Sequence, residues 1–146
     1  MEVKIHQGAT RVLILEIGEE LLSSITTYAD KEQIRSGSIQ AIGALRDFEL
    51  GYYYLDRKEY GRKKYTEICE LISCSGNLSI RDGKSLAHIH ALLGRNDYGV
   101  IGGHLFSGIV AVTAEIILNP FPVRMERSYD EQTGLFLLKS APGKAL

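Results

Sequence analysis

The sequence has no tryptophan, only two cysteines and three prolines, and almost no excess of either charge, since 17 Lys and Arg face 18 Asp and Glu. Each shortage excludes something. Two cysteines cannot form a disulfide framework, and Cys69 and Cys74 are five apart. On one strand they would point to opposite faces and could not bond without a sharp bend, so both are expected as reduced, buried thiols. A formal net charge of −1 lacks the general attraction to phosphate that drives nucleic-acid binding, and the run Arg62-Lys63-Lys64 is too short to supply it alone. DNA binding would need a local basic patch built by folding or assembly. No apolar run approaches the roughly 18 residues of a membrane span, and no basic segment followed by an apolar stretch opens the chain, so the expected setting is cytoplasmic, with no membrane partner. A phosphate-binding Gly-x-x-x-x-Gly-Lys loop, a His-Glu-x-x-His helix and a Gly-x-Ser-x-Gly elbow are all missing.

What is present suits one compact domain over residues 1–146, with 45% hydrophobic residues to build its core. Val12 to Leu15 form a continuous apolar run that predicts a buried strand over 11–17, closed by Gly18. The period then changes. Leu21, Leu22, Ile25, Tyr28 and Ala29 recur at helical spacing, behind Glu19 and Glu20, where a helix N-terminus favours negative charge. From Ser38 onward the pattern predicts strands over 39–41, 45–55, 65–75, 86–93, 100–105, 109–118, 123–129 and 135–138. Turn chemistry separates them at Gly61, Ser75-Gly76-Asn77, Asp82-Gly83, Asn96 to Gly99, Asn119-Pro120 and Gln132-Thr133-Gly134. The expected fold class is α+β: a mostly antiparallel, mixed sheet with one or two helices packed against it.

Three of the four histidines fall within 17 positions, in Ala87-His88-Ile89-His90 and Gly102-Gly103-His104. On a strand His88 and His90 share one face. A hairpin with Gly99 in the left-handed conformation would centre the pairing on Tyr98, set Leu92 opposite His104 and Phe106 opposite His90, and place all three imidazoles on one side. Gly102 and Gly103 would leave open space beside the ring. Three imidazoles bind a first-row divalent ion, zinc being the first expectation, and leave a position for water or a small-molecule ligand. Thr113 and Glu115 share a face on a later strand, where the carboxylate is a candidate to orient a ligating imidazole, bind the ion or act as a catalytic base; a solvated strand glutamate is the plain alternative. The tyrosines at 52, 53 and 54 are expected to alternate faces rather than form a base-stacking platform.

Read together, several segments resemble the plant-and-prokaryote conserved domain, called PPC or PCC, in its stand-alone bacterial and archaeal form. They are Gly43-Ala44-Leu45, Tyr65 to Ile68, Ser73 to Asn77, Asp82-Gly83-Lys84, His88-Ile89-His90, Gly102 to Leu105 and Thr113 to Ile116. The resemblance implies a homotrimer, with His88, His90 and His104 holding a metal near a subunit boundary, and makes Arg46 and Asn77 candidate ligand contacts. The free coordination position left by three histidines is expected to serve a small ligand or hydrolase- or lyase-type chemistry. The alternative that the resemblance carries is a DNA-associated regulatory module, although the Arg-Gly-Arg-Pro hook of plant relatives does not occur here. Cupin barrels also use His-x-His on a strand, but place a glutamate where this chain has Gly94 and Arg95. A purely structural assembly domain is the third reading.

Overall fold

A computed structural model describes residues 1–7 and 10–139. In chain order these form β1 (Glu2–Gln7), β2 (Thr10–Leu15), α1 (Leu21–Lys31), β3 (Gly37–Tyr54), β4 (Glu59–Tyr65), β5 (Cys69–Arg81), β6 (Lys84–Gly94), β7 (Val100–Pro120), β8 (Arg127–Asp130) and β9 (Leu135–Leu138). The seven-stranded sheet runs β1-β2-β7-β6-β5-β3-β4, and β3 also pairs with β7. That extra pairing closes β3, β5, β6 and β7 into a ring, while β8 and β9 make a separate hairpin. Every ladder is antiparallel, and the Ile80 to Glu126 bridge is parallel. The α+β expectation holds at that coarse level, with one helix among the described residues.

Two long strands organise the sheet. β3 and β7 run side by side from Gly37 opposite Pro120 to Gly51 opposite His104, with shifts of register between Gly43 and Leu45 and on either side of Glu49. These bulges bend and twist the pair. The bend lets the first half of β7 take β6 on its free edge and the second half take β2. The predicted strands left breaks at 42–44 and 106–108; instead the chain continues through bulges, with Asp47 at φ 46° and Gly43 at φ 151°. A Cβ on Gly43 would run into the Thr113 carbonyl, so the long-strand contact needs glycine there.

Inside the ring, Leu45, Leu71, Leu78, Ile89, Leu93 and Leu105 are among the fully buried side chains. Helix α1 adds Leu21, Ile25, Tyr28 and Ala29 to this core, the i, i+4, i+7, i+8 stripe anticipated from sequence. The Glu20 carboxylate caps α1 by accepting from the Ser23 N–H at 2.7 Å. Glu19 lies outside the helix and takes the terminal ammonium at 2.9 Å. Cys69 and Cys74 are free and buried, as expected. Both face the core because a register shift between Leu71 and Ser73 reverses the alternation; the argument from opposite faces had missed that bulge. Ser75-Gly76-Asn77 is no turn but the middle of β5. A Cβ on Gly76 would collide with the His88 carbonyl of β6, so this glycine permits the two strands to meet. Similarly, Gly61 lies within β4 and Asn119-Pro120 ends β7. Among the described residues, no helix is long and apolar enough to cross a membrane.

Candidate metal centre

The type of hairpin between β6 and β7 decides where the histidines go. The loop closes with Arg95 N–H donating to the Gly99 carbonyl at 2.8 Å and Tyr98 N–H to the Arg95 carbonyl at 3.0 Å. Tyr98, not Gly99, takes the left-handed conformation, at φ 65°. Pairing is therefore centred one residue earlier than expected, and His90 lies directly opposite His104. A one-residue displacement of the centre moves partners by two and preserves the face. The glycines beside His104 do not leave a void: a Cβ on Gly103 would come within 2.8 Å of the Gly51 carbonyl, and one on Gly102 within 2.7 Å of Leu92. They allow β3 and β6 to approach β7 from both sides.

The outcome is a tight imidazole cluster on the side of the sheet facing away from the core. One ligand-capable nitrogen from each of His88, His90 and His104 lies within 4.8 Å of the other two. Ring centroids are 5.1 Å apart for His88 and His90, 5.0 Å for His88 and His104, and 5.5 Å for His90 and His104. The Nδ1 atom of His104 is buried without a hydrogen-bond partner, a costly arrangement for a polar nitrogen. A cation accepting its lone pair would relieve that cost, so the residues present fit a divalent ion.

Electrostatics favour the ligating form. Burial first, then Arg127 and His90, lower the His88 pKa to about 4. Burial first, then the two other imidazoles, Arg127 and Arg62, lower that of His104 to about 4. Both rings are therefore neutral near pH 7, the state a metal ligand requires. Tyr60 packs on His104 with centroids 5.2 Å apart, and Phe106 does so at 4.5 Å.

Arg127, to which the sequence had assigned no role, reaches the cluster from β8. Its Nε donates to Ser79 Oγ at 2.9 Å, Nη1 to the Phe136 carbonyl at 3.1 Å and Nη2 to Asn77 Oδ1 at 2.9 Å. The same Nη2 is 3.1 Å from His88 Nδ1. A guanidinium only donates, so His88 Nδ1 is the acceptor here and Nε2 carries the ring proton. Asn77, a predicted ligand contact, thus meets the cluster through Arg127, and it pairs across the ladder with His88. Nothing near position 127 in the sequence marks this contact, which depends on a β8–β9 hairpin folding back over β5.

The other predicted residues lie elsewhere in the chain. Glu115 stands opposite Ile42 and Ile14 and lines a cavity of about 390 Å³ with Gln40, Ser73 and Ser75. From His90 the register crosses Ser75 on β5 and Gln40 on β3 before reaching Ile117 on β7. Three strand spacings put that stretch of β7 roughly 14 Å away across the sheet. Thr113 donates to the Leu15 carbonyl at 3.4 Å, and Arg46 is tied to the adjacent Asp47 at 2.9 Å. Within one chain, none of these three joins the imidazoles.

Solved structures with this arrangement of strands are known. A metal-containing protein from Archaeoglobus fulgidus is 38% identical, with 96% of this chain and 99% of that one aligned at a TM-score of 0.84. A plant- and prokaryote-conserved protein from Pyrococcus horikoshii is 34% identical, with 92% and 93% aligned at 0.85. A candidate DNA-binding protein from Bacteroides thetaiotaomicron is 27% identical, with 94% and 96% aligned at 0.90. No curated protein matches the chain. Residues 4–122 match the Plants and Prokaryotes Conserved (PCC) domain, and the chain belongs to that family.

Proposed function

We propose that the chain is a metal-binding domain, assembled as a homotrimer, in which His88, His90 and His104 hold one divalent ion. Zinc is the first choice, because neutral imidazoles suit it and three protein ligands leave it a free position. The observation that carries this reading is the convergence of three ligand nitrogens, one from each histidine, within 4.8 Å, beside a buried His104 nitrogen without a hydrogen-bond partner. The metal content of the A. fulgidus relative supports it. A bound ion would supply a Lewis acid to a small ligand entering the free position. The chain's own residues hold two of the rings neutral, shield His104 with Tyr60 and Phe106, and aim Arg127 at His88. Thr113, Glu115 and Arg46 would contribute only across a subunit boundary of the trimer. The test is metal analysis of untagged protein stripped and dialysed against equimolar zinc. One zinc per chain, lost in His90→Ala, is expected; protein that stays metal-free refutes the reading.

A second reading, a DNA-associated module, is favoured by the candidate DNA-binding relative. Its basic residues would be Arg62, Lys63 and Lys64 on β4. Of these, Arg62 is already paired with Glu49 at 3.0 Å and lies over the Phe106 ring. This reading predicts salt-dependent retention of duplex DNA in a gel shift. No retention at high micromolar protein and low salt removes it.

A further inference from the structure

Among the described residues, Arg127 is the one cation near the histidines that has no acid to answer it. Seven other arginines, Arg62 and Arg81 among them, lie within 4.0 Å of a carboxylate, and all seven are exposed. Arg127 is more buried than any of them, and among the described residues it pairs only with neutral groups. A guanidinium does not shed its proton to escape burial, so its charge stays and calls for a counter-ion.

That charge faces a cavity of about 460 Å³, lined by His88, His104, Tyr60, Arg81, Phe106 and Arg127 together with aliphatic side chains. Among the described residues, no Asp or Glu lines it. Neutral imidazoles would leave the charge of a bound divalent ion intact, so loading the site adds positive charge to a space without a carboxylate.

Loading also changes the hydrogen bonding of Arg127. His88 Nδ1 accepts from Nη2 at 3.1 Å. If the ion takes Nδ1, that lone pair is gone. If the ion takes Nε2, the ring proton moves to Nδ1, which becomes a donor facing a donor. Either way one guanidinium N–H loses its acceptor beside a cation, a combination that an oxyanion satisfies with a charge-assisted hydrogen bond.

We infer that this cavity binds small organic carboxylates, with Arg127 and the three-histidine ion holding the carboxylate and the apolar wall of Leu86, Phe106 and Leu135 holding its body. The inference rests on the three-histidine reading for the ion and adds the ligand class. A monoanion suits this wall better than a phosphate dianion, whose desolvation costs more.

The experiment titrates benzoate, benzyl alcohol and inorganic phosphate, by calorimetry, into zinc-loaded and zinc-free wild-type protein and into zinc-loaded Arg127→Met and Arg127→Lys. Zinc uptake is measured separately by competition with a chromophoric chelator. Benzoate is expected to bind the zinc-loaded wild type, at least about tenfold more weakly without zinc and about tenfold more weakly in Arg127→Met, with part of the affinity kept in Arg127→Lys. Benzyl alcohol, which has the same ring and no charge, is expected not to bind, and phosphate to bind more weakly than benzoate. If zinc is taken up normally but benzoate does not bind, or binds wild type and both variants equally, the inference fails while the metal reading stands. Phosphate binding tighter than benzoate overturns the carboxylate class. If zinc itself is not taken up, both fall. The comparison of loaded with unloaded wild type needs no variant to fold.

Discussion

The two halves of β7 carry the two groups of residues that sequence had joined into one site, and they live in different surroundings. In the first half His104 is packed between Tyr60 and Phe106, with a buried nitrogen lacking a partner and an arginine close to the cluster. In the second half Glu115 stands exposed between the aliphatic side chains of Ile14 and Ile42. Burial and convergence alter the chemistry of the first group, whereas the carboxylate of the second stands in solvent. The lesson is that sharing a strand is not sharing a site when that strand is 21 residues long and bulged.

The contrast can be broken most directly at the ligands. His104→Ala should weaken zinc binding by at least about 100-fold, whereas Glu115→Gln should leave it within about twofold, both read by chelator competition. Equal losses would place Glu115 at the ion and erase the distinction. Next in size, Gly76→Ala forces a methyl group into the His88 carbonyl and should lower unfolding free energy by about 3 kcal/mol in a urea titration. An unchanged midpoint would mean that β5 and β6 have room the structure denies them.

Acid should separate the halves further. His88 and His104 have pKa values near 4 in the folded chain against an ordinary 6.5. Below pH 6.5 the unfolded chain therefore takes up protons that the folded chain refuses. Stability of the metal-free protein should be complete above about pH 6.5 and decline as pH falls toward 4. The upper bound is roughly 3 kcal/mol per ring, reduced by partial solvent access. Denaturant midpoints at pH 7 and pH 5 check this, and a midpoint that rises on acidification contradicts it. The smallest effect is a null: burial raises the thiol pKa of Cys69 and pushes that of Cys74 up to about 12. Neither should react with a thiol reagent at pH 8 in native protein, and both should react in denaturant.

Much of this was legible because it depends on local periodicity. The stripe of Leu21, Ile25, Tyr28 and Ala29 specified α1, the Asp82-Gly83 pair specified the β5–β6 hairpin, and His88-x-His90 specified a shared face. The strand over 135–138 and the alternation of Tyr52, Tyr53 and Tyr54 followed from the same rule; Tyr52 and Tyr54 meet at 5.0 Å while Tyr53 turns to Tyr60 at 4.8 Å. Strand continuity failed at Gly76, which was read as turn chemistry although its purpose is close approach of the β5 and β6 backbones, and at 42–44 and 106–108, where β3 and β7 run on through bulges. The hairpin centre was one residue off, and each cross-strand partner two off, because Tyr98, an unusual choice, took the left-handed position. Arg127 was invisible for a different reason: its contacts to Asn77, Ser79 and His88 cross 39 to 50 positions, and no local pattern reports a contact of that separation.

The most direct test is the zinc stoichiometry of untagged protein after chelator stripping and dialysis against equimolar zinc, measured by elemental mass spectrometry for wild type and His90→Ala together. The imidazole cluster predicts one zinc per chain in the wild type and essentially none in the variant. Wild-type protein without zinc, or a variant that retains it in full, would contradict the account.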